Sequence, residues 1–92
     1  MIASGSRPRL RRGVRLGYDK VRDRHVMMFP EGVLVLNETA ADIVARCDGA
    51  ATVTEITDAL AAAYLGVRYT EVVDVLTRLA DRRMIEVADD AG

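Results

Sequence analysis

Among the side chains able to act as nucleophile, base or metal ligand, His25 and Cys47 are each the single copy of their type, and the only serines are Ser4 and Ser6. A thiol or hydroxyl becomes a useful nucleophile when a base sits within hydrogen-bond reach and a further group orients that base. Ser4 and Ser6 fall in a leader of small and polar residues that is expected to fray, so neither can be held against His25. His25 opens an apolar, strand-forming run, whereas Cys47 closes a helical pattern, and nothing in the spacing brings the two together. They read as a half-buried strand histidine and a small buried hydrophobe. One cysteine and one histidine cannot build a zinc site alone. No glycine-rich phosphate loop or dinucleotide fingerprint is present. The sequence argues against a self-contained enzyme and calls for no cofactor or metal.

The remaining chemistry is that of backbone hydrogen bonding and apolar contact, and residues 25–44 concentrate it. His25–Phe29 is rich in strand formers, and Pro30-Glu31-Gly32 supplies turn residues. Val33-Leu34-Val35-Leu36 is a second strand, followed at once by Asn37 as a helix N-cap. A strand that runs directly into a capped helix leaves a groove against whatever packs beside it. If its edge is bare, such a strand can accept an added strand from a peptide. The opposite wall is expected from a later helix, where Val75 is displaced towards the rim and Arg78 and Arg82 follow it at i+3 and i+7. A peptide pairing with Val33, Leu34, Val35 and Leu36 would place side chains in pockets lined by Val75 and Leu79.

These residues must be positioned by a small fold. With 92 residues the chain is expected to be one domain, and half of its residues are apolar, so it can bury a sizeable core. Aromatic residues are scarce (Tyr18, Phe29, Tyr64 and Tyr69), which makes the core aliphatic. No apolar run approaches a membrane span, and no apolar segment follows the N-terminal arginines as in a secretory signal. A single cysteine permits no internal disulfide, which fits a cytoplasmic protein. The charge is uneven. Residues 1–24 hold eight basic residues against Asp19 and Asp23, and residues 25–92 hold five basic and twelve acidic ones.

In order, residues 1–8 are expected to be a disordered leader, followed by a basic arm ending at Gly13. Val14–Tyr18, His25–Phe29 and Val33–Leu36 form an antiparallel meander with short connections. Asn37 opens a first helix whose Ala40, Ile43, Val44 and Cys47 share a face, with Gly49 as its left-handed terminator. Thr52 and Glu55 form a capping box, and Val53, Ile56, Leu60, Ala63 and Tyr64 share the face of that second helix. A third helix begins near Tyr69 with Thr70 as its cap, and carries Val72, Leu76 and Leu79 towards the core. Met84–Val87 is a short last strand, and residues 88–92 are an acidic tail. The outline is α+β: a three-stranded antiparallel meander, three helices and a short C-terminal strand, as in a winged helix-turn-helix, spanning residues 9–87 as a single domain. That fold often reads DNA, but the third helix balances Arg78, Arg82 and Arg83 against Glu71, Asp74 and Asp81, and the second helix carries no cation. The cationic footprint that phosphates require is therefore missing from the helices, and only the arm around Arg7–Arg15 could serve a nucleic-acid binder. An apolar edge strand is also expected to permit a homodimer at high concentration.

The stretches Pro8-Arg9-Leu10, Gly13-Val14-Arg15-Leu16, Phe29 through Ala40, Cys47-Asp48-Gly49 and Thr52-Val53 with Glu55-Ile56 together resemble the PqqD family over roughly residues 8–87. The resemblance implies a peptide chaperone of pyrroloquinoline quinone biosynthesis, a recognition element for a ribosomally made and modified peptide. It implies as partners the precursor peptide PqqA and the radical-SAM enzyme PqqE, which joins a Glu and a Tyr within that peptide. It also implies that the leader adds as a strand beside Val33–Leu36, in the cleft lined by Val75, Arg78, Leu79 and Arg82. Iron–sulfur clusters and S-adenosylmethionine then belong to the partner enzyme.

Overall fold

The computed structural model describes residues 2–88 and shows five strands and three helices. They are β1 (Arg7–Leu10), β2 (Arg15–Asp19), β3 (Arg24–Phe29), β4 (Gly32–Leu36), α1 (Glu38–Ala45), α2 (Val53–Ala63), α3 (Tyr69–Asp81) and β5 (Ile85–Ala88). The expected meander is present as the antiparallel sheet β2-β3-β4, and the last strand is present as β5. The fold is α+β and winged-helix-like. The proposed acidic tail, apart from Ala88, lies outside the described residues.

The N-terminal segment differs from expectation. Residues 7–10, assigned to the leader and arm, form β1 and pair antiparallel with β5, Arg9 standing opposite Glu86 with Nε 3.0 Å from Oε1. Pro8 and Ser6 are buried. The physical reason lies fifty residues away, at the start of α2. A helix begins with backbone N–H groups that have no partner inside the helix. Here Val53 donates to the carbonyl of Ser6 at 2.9 Å, and Thr54 donates to that of Ser4 at 3.1 Å. The leader thus completes the cap that Thr52 begins, its hydroxyl accepting from the Glu55 N–H at 3.1 Å while Glu55 accepts from the Thr52 N–H. Gly49, expected to terminate α1, instead serves β1. Its N–H donates to the Pro8 carbonyl, and a Cβ there would lie 3.4 Å from the Cβ of Arg9 at a φ of +81°. The last helical turn of α1 is closed by Arg46 in an ordinary right-handed conformation.

The core is aliphatic, as the composition requires. Met27 from β3, Ile43 and Val44 from α1, Val53, Ile56 and Leu60 from α2, and Val72, Leu76 and Leu79 from α3 are all buried. Of the face assigned to α2, Ala63 is exposed and Tyr64 half-buried; on α1, Ala41 takes the buried place expected of Ala40. The α3 cap also departs from expectation. Its N-cap is Arg68, with no side-chain hydrogen bond, so Thr70 is already inside the helix. The other end of α3 is well determined. Arg83 takes φ +59°, its N–H reaches the Ala80 carbonyl at 3.0 Å, and the Met84 N–H reaches that of Leu79 at 2.9 Å. This is a Schellman closure, with buried Met84 packed over the helix end. It turns the chain sharply into β5 and leaves Arg82 at the surface. Among the described residues no helix is long and apolar enough to cross a membrane.

Candidate functional site

β4 lies at the border of its sheet, paired with β3 on one side only. A two-residue turn, Pro30-Glu31, closes the hairpin so that Phe29 stands opposite Gly32, followed by Met27 opposite Leu34 and His25 opposite Leu36. In an antiparallel ladder, facing residues alternate between exchanging both backbone hydrogen bonds and exchanging none. The pair that closes a two-residue turn is of the first kind, so Leu34 and Leu36 bond inward to β3. Val33 and Val35 consequently direct their N–H and C=O groups to the open edge. Their side chains stand on the outer face of the sheet, 61% and 49% exposed, while Leu34 is half-buried and Leu36 buried.

Across from this edge runs α3. A groove of about 250 Å³ lies between them, lined by Leu34, Val35 and Leu36 on one side and Val75, Arg78, Leu79 and Arg82 on the other. The structure brings together every predicted site residue except Val33, which lies beyond the groove lining. Sequence reasoning missed Asn37 and Ala40, which close one end. The sequence marks Asn37 as a cap, a role it fills, its Oδ1 accepting from the Ala40 N–H at 2.8 Å. That bond fixes Ala40 one turn on, where its small, half-buried side chain packs on the edge of the core and borders the groove. The signal was available: an N-cap directly after an edge strand places the first helical turn beside it. Leu79 is buried and forms the floor, Val75 is half-buried at the rim, and both arginines are exposed. Arg78 pairs with Asp74 one turn earlier at 3.1 Å, an exposed pair of little energetic weight, and Arg82 has no ion pair among the described residues. The groove therefore offers two backbone donor–acceptor sets, an apolar floor and a guanidinium rim. That arrangement can hold an extended peptide.

Among the described residues the titratable groups do not assemble into catalytic machinery. The Cys47 thiol donates to the Ile43 carbonyl at 3.2 Å and is buried; that burial, with Asp48 adding to it, pushes its pKa up to about 12. It stays a protonated thiol near neutrality. His25 instead packs edge-on against Tyr18, ring centroids 5.0 Å apart. His25 also borders a hollow of about 280 Å³ on the far side of α1, with Glu38, Asp42 and Tyr64. Desolvation first, then Asp42, raise the Tyr64 phenol above its ordinary value. Asp48 and Glu55 are held below the usual carboxylate range, Asp48 by the N–H groups of Ala51 and Ala50 and Glu55 by that of Thr52. These are structural turns and caps. Among the described residues no group of three or more His, Cys, Asp and Glu gathers as a metal ion would require.

Comparison with known proteins identifies the family. The family model for coenzyme PQQ synthesis protein D (PqqD) matches residues 24–85. A PqqA binding protein of Rhodopseudomonas palustris (strain BisB5) is 38% identical, the alignment covering 99% of this chain and 92% of the relative. The bifunctional coenzyme PQQ synthesis protein C/D of Methylorubrum extorquens is 35% identical over 86% of this chain, which spans 22% of that longer protein. The solution NMR structure of the PqqD truncation of Methylobacterium extorquens PqqCD, described as a functional and stand-alone recognition element for ribosomally synthesised and post-translationally modified peptides, superposes with a TM-score of 0.75. It is 33% identical, with 94% of this chain and 95% of that one covered. On the match to two thirds of its length, and on relatives of this identity aligned almost end to end, the chain belongs to the PqqD family.

Proposed function

We propose that this chain is a non-catalytic peptide chaperone of pyrroloquinoline quinone biosynthesis. It binds the precursor peptide PqqA by strand addition to β4, in the groove against α3, and presents it to the radical-SAM enzyme PqqE. The observation that carries this reading is the unpaired edge of Val33 and Val35 lying beside an apolar groove. Relatives named for binding PqqA align along nearly the whole chain, which supports the identity of the peptide. Redox chemistry and its iron–sulfur clusters belong to the enzyme partner in this reading, and the chaperone contributes only affinity and orientation. A second copy of the chain pairing through β4 would compete with the peptide, so a homodimer at high concentration would be the unloaded form. In this reading the complex acts in the cytoplasm.

The test compares Val35→Pro with Val35→Ala by calorimetric titration of PqqA. Proline removes the N–H that faces the open edge without removing a ladder bond to β3, whereas alanine retains it. Val35→Pro should weaken binding by about 1 kcal/mol or more beyond the effect of Val35→Ala, in variants whose circular dichroism is unchanged. Equal affinities in the two folded variants would show that no strand is added at this edge.

A further inference from the structure

The sequence places arginines at both ends of the chain, and the fold brings two of these groups to the same end of the groove. The N–H of Arg11, in the loop between β1 and β2, donates to the Met84 carbonyl at 2.9 Å, so Arg11 and Arg12 stand beside Arg83 and the closed end of α3. Two residues on, Gly13 lies against the Pro30 ring in the turn that begins β4, at 3.7 Å for a Cβ built on it. The loop thus bridges the two walls of the groove at the Gly32 end, where Arg82 lines it. Arg11, Arg12, Arg82 and Arg83 are all exposed, and none has an ion pair among the described residues. Near them the same elements carry Glu31 and Asp81, while Glu71 and the Arg78-paired Asp74 lie further back along α3. At the opposite end the groove is closed by the uncharged Asn37 and Ala40.

We infer that these four arginines form a basic collar that recognises an acidic stretch of the bound peptide and so fixes its direction along β4. This rests on the groove being the peptide site and adds the chemistry of the occupant: an extended segment with an apolar part for the Leu34–Leu79 floor and carboxylates at one end. An apolar strand edge alone cannot distinguish one extended peptide from another, and hydrogen bonds along it do not determine which end leads. A charge confined to one end does both, and it speeds encounter with an oppositely charged partner. A nucleic acid is the less favoured occupant, since the collar continues into an apolar groove and the exposed faces of α2 and α3 bring Glu55, Asp58, Glu71 and Asp74 to any duplex laid along them.

The decisive variant is the double substitution Arg11→Gln and Arg12→Gln, because neither side chain lines the groove and any effect on binding must act through charge. Stopped-flow association is measured with PqqA, and with a PqqA peptide whose Asp and Glu residues are replaced by Asn and Gln, at low and at high salt. The double variant should slow association with native PqqA about tenfold at low salt, and the difference should vanish at high salt. The neutralised peptide should bind wild type and variant alike, and more slowly than native PqqA binds wild type. Equal rates for the two proteins at low salt, with Val35→Pro still weakening binding, would overturn the collar and leave the groove standing. If neither Val35→Pro nor the arginine variant has an effect, the groove itself is not the site. Salt-sensitive binding of a DNA or RNA oligonucleotide that displaces PqqA and is lost in the double variant would assign the collar to nucleic acid instead.

Discussion

Arg83 sits in a conformation that side chains other than glycine adopt at a cost. At φ +59° its Cβ crowds the backbone, a strain of about 1 kcal/mol, and it is retained because the Schellman closure needs a left-handed residue there. Arg83→Gly should therefore raise stability by about 1 kcal/mol, seen as a higher midpoint in urea unfolding. A lower midpoint would mean that Arg83 makes a compensating contact. Cys47 gives a second prediction, with its sign set by linkage. Burial lifts the thiol from 9.0 to about 12, so above pH 9.0 the unfolded chain releases a proton that the folded chain keeps. Stability should fall as pH rises through that window, and Cys47→Ala should flatten the decline. Near neutrality, Ellman's reagent should label Cys47 only as fast as the fold opens. Rapid labelling of the folded protein would contradict its burial. On the acid side the sign reverses: the lowered carboxyls of Asp48 and Glu55 stabilise the fold above their ordinary values and lose that contribution as pH falls.

At the scale of elements, what the sequence made legible was what depends on neighbours a few residues apart. Asn37 and the Thr52–Glu55 box follow from rules that span one helical turn, and the meander follows from short connections between strand-forming runs. The groove was legible for the same reason, because Val33–Leu36 must end at Asn37 and the periodicity of α3 sets Val75 off from Val72, Leu76 and Leu79. The N-terminal strand was not legible. Ser4 and Ser6 sit in a composition that normally frays, and their carbonyls acquire value only because Thr54 and Val53, far along the chain, need acceptors. The collar was hidden likewise, since Arg11 meets Met84 only through the β1–β5 ladder. A chain beginning at Arg7 should consequently lose about 1–2 kcal/mol in urea unfolding, the worth of one or two helix-cap hydrogen bonds. Hydrogen exchange at Val53 and Thr54 should rise most in that chain. Unchanged stability and exchange would mean that water replaces Ser4 and Ser6 without loss.

For the molecule as a whole, charge and topology divide the work. The helices and β5 enclose an aliphatic core, the arm is tied down as β1, and one strand edge is left open beside a groove with a basic end. Neither the thiol nor the imidazole is placed for chemistry, so affinity and orientation are what this surface can supply. The most direct measurement is the backbone amide spectrum of the protein titrated with PqqA. Amides of Val33 and Val35 should shift most and gain protection from exchange, with Val75, Arg78, Leu79 and Arg82 following, while the amides around His25 and Tyr64 across α1 stay in place. Shifts centred on that opposite hollow, with the β4 edge unmoved and unprotected, would contradict the groove between β4 and α3 as the peptide site.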